Sequence, residues 1–174
     1  MVQVVLHVCC GVCAAGAAVA LAEEGYRVLG YFHNPNLYPL NEYQKRLQAA
    51  VQVAEKLHFP LNEGLYIPDE WFRATETLQE EPEGGKRCDV CYRIRLQETF
   101  RYLEGCGADY FTTTLTIGPH KSATTINRIG QEIGSDKFLI RDFKKKEGFK
   151  KATQMARQWG LYRQNYCGCI YSMR

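Results

Sequence analysis

The residues in this chain best suited to chemistry are its cysteines. Seven of the eight fall in three groups, Cys9-Cys10-Gly11-Val12-Cys13, Cys88-Asp89-Val90-Cys91 and Cys167-Gly168-Cys169, and Cys106 stands alone. Two close-spaced pairs at distant points form a strong ligand pattern, because one short segment aims two thiolates at a single metal. At a helix start, unpaired backbone N–H groups and the helix dipole also favour the thiolate that a metal requires. Successive groups lie 75 residues apart (Cys13 to Cys88) and 76 apart (Cys91 to Cys167). Structural zinc knuckles usually sit in a small module that the metal itself folds, so these separations suit a redox cluster, for which four cysteine ligands are common.

Adjacent Cys9 and Cys10 would point to opposite faces of an extended strand. Sharing one centre requires the chain to turn there, which Gly11 makes easy; without the turn the two thiols serve two centres. The C-G-C segment reads in two ways. It is a redox-active dithiol, since Gly168 permits the tight ring a disulfide would close, or it completes a metal site. Cys13 and Cys106 read as small buried apolar residues, Cys13 by a narrow margin.

Length and composition narrow the setting. A chain of 174 residues builds a full core without disulfides or metals, and eight cysteines, about 4.6% of it, fall short of the roughly 8–10% of a disulfide scaffold. The opening stretch lacks a basic leader, and Glu23, Glu24 and Arg27 interrupt it before a membrane span is complete. The expectation is a cytoplasmic protein with no membrane association, whose thiols sit in a reducing compartment. Residues 141–174 carry nine Lys+Arg against two Asp+Glu, net +7, whereas residues 1–140 are net −4. The run Arg141 to Lys151 (RDFKKKEGFKK) suits phosphate contacts or a solvated face equally.

These residues need elements to position them. Apolar runs predict strands at Val2–Val8, Arg27–Phe32, Leu65–Ile67, Asp109–Leu115 and Lys137–Ile140. Helices are expected over Ala14–Glu24, from an Asn41 cap to Leu57, over Asp69–Leu78, Cys91–Glu104, Ala123–Ile133 and Gly148–Trp159. Strands alternating with helices predict one α/β domain over residues 1–174: an open, mostly parallel sheet flanked by helices, with a basic, cysteine-containing segment from about residue 141. Ligands in such sheets bind at the carboxyl ends of strands, where Cys9-Cys10 and the Thr112 to Lys121 stretch both fall.

The motifs HVCCGVCA, FHNPNLYPLNEYQKR, KRCDVCYRIRL, FTTTLTIGPHKS, RDFKK and LYRQNYCGCIYS, in this order from about residue 7 to residue 172, resemble the epoxyqueuosine reductases of the QueH type. The resemblance implies reduction of the epoxide of epoxyqueuosine to queuosine at the wobble position of tRNA. It also implies a sheet similar to the HUP and ATP-pyrophosphatase type of Rossmann-like fold. CCGVC stands where those enzymes carry a glycine- and serine-rich phosphate loop, which argues against ATP use. Carried over by position, the implied ligands of a 4Fe-4S cluster are Cys9, Cys10, Cys88 and Cys91. Cys167 and Cys169 fall as a redox-active dithiol or as ligands to an additional mononuclear iron. His33 and Gly118-Pro119-His120 depart from the family's pattern, which bears on substrate contacts rather than on the chemistry.

Removing an epoxide oxygen as water takes two electrons and two protons. A cluster delivers electrons singly, so Cys167 and Cys169 are suited to supply the second, and an iron with an open position suits a Lewis acid. His7, His33, His120, Asp89 and Asp142 are potential proton donors, His7 reading first as a packed core residue. The electron donor is unidentified by sequence. Under the resemblance, Lys121, Lys144, Lys145, Arg163 and Tyr166 are the expected substrate contacts, with Tyr162 and Tyr171 further surfaces for stacking a base. The rival reading is a zinc-stabilised RNA-binding module without catalysis. A second rival is an ATP-dependent tRNA-thiolating enzyme on a similar fold.

Overall fold

The computed structural model describes residues 1–173. Four parallel strands, β1 (Gln3–His7), β2 (Arg27–Phe32), β3 (Leu61–Glu63) and β4 (Tyr110–Thr113), pair in the order β3-β2-β1-β4. β1 is central, with Val4 opposite Val28 on one side and Tyr110 on the other. Its alternation divides the core: Val4, Leu6 and Val8 face one layer and Val5 the other. The first layer holds α1 (Gly11–Glu23), α2 (Leu40–Leu57) and α6 (Gly148–Gln158). The second holds α4 (Lys86–Cys106) and α5 (Ala123–Gly134), while α3 (Pro68–Thr75) packs on α4. Among the described residues, no helix is long and apolar enough to cross a membrane.

The expected α/β class is present, with several shifted boundaries. α1 begins at Gly11, not Ala14, because Cys10 is its N-cap: the Cys10 sulfur accepts from the Cys13 N–H at 3.4 Å. α4 begins at Lys86, so Cys88 and Cys91 both lie in its first two turns. α2 begins at Leu40 behind Pro39, and the expected Asn41 cap lies within it. β3 is Leu61–Glu63 rather than Leu65–Ile67; the Gly64 N–H closes on Phe32 O, leaving Leu65 76% exposed. The Thr-rich strand stops at Thr113, where Thr113 Oγ1 accepts from Leu115 N–H and starts a 3₁₀ turn, Thr114–Ile117. The expected strand Lys137–Ile140 shrinks to one bridge, Phe138 to Phe111, because Arg141 turns away to bond Asn127 and Glu24.

Candidate metal centre

The carboxyl ends of β1 and β4 open into a cavity of about 580 Å³ whose lining includes Cys9, Cys13, Arg95, Lys121, Tyr166 and Cys167. Cys9 follows β1 directly. Its N–H donates to Thr114 Oγ1 at 3.0 Å and that hydroxyl donates to the Cys9 sulfur at 3.1 Å, so the β4 turn sets the thiol's position. The chain turns after Cys9, and the Cys9 and Cys10 sulfurs lie 3.9 Å apart. Cys13, one turn into α1, completes a set of three thiols with sulfurs within 4.8 Å of one another. Cys13 is buried in the core layer of α1, as expected, and because Gly11 to Cys13 are already helical its thiol also faces its two neighbours.

Within this set, hydrogen bonds from the Cys10 and Cys13 thiols, joined by Thr114, hold Cys9 well below the ordinary thiol range. Cys10 accepts a bond from the Cys13 thiol, but donating to Cys9 and burial push it up to about 12. Cys13, which donates to Cys10 and Cys9, is raised as well. Cys9 is thus the most acidic thiol of the three.

Cys88 and Cys91 lie on α4, where burial raises both thiols. Cys167 and Cys169 lie in the segment after α6: the Cys167 sulfur is 3.6 Å from Lys121 Nζ, and Cys169 packs with Cys91 and Trp71. All eight cysteines are free thiols. Cys106 is exposed at the end of α4, not buried as expected, because the helix ends at the surface on Gly107.

Two cations complete the crevice. Arg95, 3% exposed, follows Cys91 by one helical turn and donates from Nε to Cys91 O at 3.3 Å. Burial works against its charge, but the neighbouring Cys91, Cys167 and Cys9 sulfurs favour the cation and hold the guanidinium above its usual range. Lys121 behaves alike: burial opposes its charge, and Cys167 and Cys9 more than reverse that. Among the described residues neither cation pairs with a carboxylate. An arginine in a helix reads from sequence as solvated; the missed signal is the spacing Cys88, Cys91, Arg95, which is one helical face.

The other expected site residues are placed as follows. Tyr166 lines the cavity and donates its hydroxyl to Tyr38 O at 2.6 Å. Lys144 donates to Thr116 O and Lys121 O at 2.8 and 3.0 Å, tying its ammonium to the loop that carries Lys121. Lys145 and Arg163 are exposed. Tyr162 donates to Glu42, and Tyr171 lies under the Arg87 guanidinium, 4.8 Å from its ring centre. His7 is fully buried, bonded to Thr113, His33 O and Asn34, and burial pushes it down to about 3.

A donor set rich in thiols, flanked by buried cations, fits an iron–sulfur group, since thiolate ligands bring negative charge that Arg95 and Lys121 offset. The buried indole N–H of Trp71 lies beside Cys91 and Cys169 and suits a bond to sulfur. Fold and site together define a Rossmann-like α/β protein with a cysteine centre at the carboxyl edge of its sheet. Two solved structures share the fold. A predicted subunit of tRNA methyltransferase from Methanocaldococcus jannaschii has a TM-score of 0.60 and 14% identity, over 88% of this chain and 75% of that one. The U34-tRNA thiolase NcsA from Methanococcus maripaludis, solved with its [4Fe-4S] cluster, has a TM-score of 0.61 and 15% identity, over 99% of this chain and 62% of that one.

The chain belongs to the epoxyqueuosine reductase QueH family, whose model matches residues 4–174, and is an oxidoreductase. The epoxyqueuosine reductase QueH of Streptococcus pyogenes serotype M1 is 36% identical over 181 residues, covering 99% of this chain and 71% of that protein. The Thermotoga maritima protein of the same name is 34% identical, over 99% and 91%.

Proposed function

We propose that the chain reduces epoxyqueuosine in tRNA to queuosine, using an iron–sulfur cluster of the 4Fe-4S kind on Cys9, Cys10, Cys88 and Cys91. Cys167 and Cys169 act beside it as a redox dithiol or as ligands to a further iron. The observation that supports this reading is the set of three thiols, Cys9, Cys10 and Cys13, at a crevice that Cys167 also lines, beside two buried cations that among the described residues pair with no carboxylate. When bound, such a group supplies single electrons, and an iron with an open position supplies Lewis acidity toward the epoxide oxygen.

The chain's own residues supply the rest. The epoxide takes up two electrons and two protons and leaves an alkene and water, the electrons coming from an unidentified donor. Lys121 holds a proton on Nζ at the cavity wall, 3.6 Å from the Cys167 sulfur, in position to hydrogen-bond the epoxide oxygen. His7, deprotonated at neutral pH, is not the acid. The cavity volume suits one nucleoside rather than a stacked anticodon, so the base enters unstacked.

Anaerobic purification tests the reading: brown protein containing iron and acid-labile sulfide is expected, and a colourless, zinc-only protein would sink it in favour of an RNA-binding zinc module. Cys88→Ala is expected to lose cluster and activity with the circular dichroism of the fold retained. Normal reduction of epoxyqueuosine tRNA by Cys88→Ala would remove Cys88 from the ligand set.

A further inference from the structure

The motif FHNPNLYPLNEYQKR contributes no thiol, yet it grips the segment that carries two of them. Arg46 on α2 is 2% exposed. Its Nη1 donates to Cys167 O at 2.7 Å and its Nη2 to Tyr166 O at 3.0 Å, while Nε donates to Glu42 Oε1 at 2.8 Å. The other Glu42 oxygen accepts from the Tyr162 hydroxyl at 2.6 Å. Just ahead of α2, the Tyr38 N–H donates to Gly168 O at 2.9 Å, so three successive carbonyls, 166 to 168, are bound by this motif. Gly168 has φ +125°, and a Cβ there would lie 2.7 Å from Arg46 Nη1 and against Leu37. With its carbonyls facing α2, the segment directs Cys167 toward Lys121 and Cys169 into the Trp71 and Cys91 pocket.

We propose that Arg46, oriented by Glu42, is the positioning residue for the Cys167 and Cys169 thiols. A buried ion pair adds little stability over well-packed apolar residues, so general packing is a weak reason for Glu42 and Arg46 to be there. What arginine alone offers is a planar fork that reaches two carbonyls while a third N–H holds the carboxylate. Lysine carries the charge without the fork. The inference deepens the proposed function and rests on it only for the redox use of the two thiols.

Arg46→Lys is the decisive variant, with alkylation of each cysteine followed by peptide mass on reduced, chelator-treated protein. Wild type is expected to protect Cys169 relative to exposed Cys106. Arg46→Lys is expected to melt near wild type, label Cys169 about tenfold faster or more, and leave the Cys106 rate unchanged. In turnover its kcat falls while KM for tRNA holds. A wild-type rate for Cys169 in folded Arg46→Lys overturns the proposal. Should Arg46→Lys not fold, the double variant Glu42→Gln, Arg46→Gln, which leaves no buried charge unpaired, is read by the same criterion. Equal labelling of Cys169 and Cys106 in the wild type overturns the proposal without any variant. The thiols are read without metal, so these failures count against Arg46, whereas iron-free native protein counts against the cluster.

Discussion

His33 follows β2 directly, buried, with its ring 6.1 Å from that of Tyr31. Burial holds it below the ordinary histidine value of 6.5, and nearby Glu98 and Glu70, which favour the charged form, do not reverse this. Below about pH 6.5 the unfolded chain therefore binds a proton at His33 that the folded chain refuses. Stability from this residue is complete above that pH and falls as pH drops toward the folded value, at up to about 1.4 kcal/mol per unit. Buried His7 acts in the same direction. His33→Gln is expected to lose less stability than wild type between pH 7.5 and 5.5 in urea unfolding; equal losses would show that His33 is charged in the fold. At this scale the grouping of Cys9, Cys10 and Cys13 was legible because type and spacing stand in the sequence itself. Arg95, Arg46 and Trp71 were not, because an arginine or tryptophan announces its role only through what surrounds it.

At the scale of elements, α1 fixes the geometry of the first thiol group. Its Gly11 touches α2: an added Cβ would lie 2.7 Å from Ala49 Cβ and 2.8 Å from the Ala49 backbone. Gly11→Ala is expected to force α1 and α2 apart, cost about 1–3 kcal/mol in denaturant unfolding, and lower metal content by displacing Cys10 and Cys13. Gly105→Ala on α4, where a Cβ meets nothing within 4 Å, is the control and should be neutral or stabilising by about 0.5–1 kcal/mol. Wild-type unfolding of Gly11→Ala would show that the contact is slack. The alternation of strand and helix was legible from apolar periodicity, but the starts of α1 and α4 were not. Both are set by chemistry that propensity does not weigh, a cysteine acting as N-cap in α1 and a glycine N-cap before α4.

Over the whole molecule, a central β1 with its crossovers brings residues 9, 95, 121 and 167 to one cavity at the edge of the sheet, a convergence that strand order produces and that sequence distance hides. The basic run of residues 141–151 was legible as charge but not as divided labour. Lys144 is bound to the Thr116 and Lys121 carbonyls, whereas Lys145 and Lys151 are exposed and Phe149, between them, lines the cavity. A cation that carries phosphate contacts makes binding salt-dependent without choosing the base. Lys145→Gln and Lys151→Gln are therefore expected each to weaken tRNA binding and to reduce the slope of log affinity against log salt by roughly 0.7–0.9, with kcat at saturating tRNA unchanged. Lys144→Gln should do the reverse, leaving the salt slope near wild type and lowering kcat, because it frees the loop that sets Lys121 beside Cys167. Binding titrations between 50 and 200 mM salt distinguish the two, and an unchanged slope in Lys145→Gln and Lys151→Gln would move the RNA contact to another face.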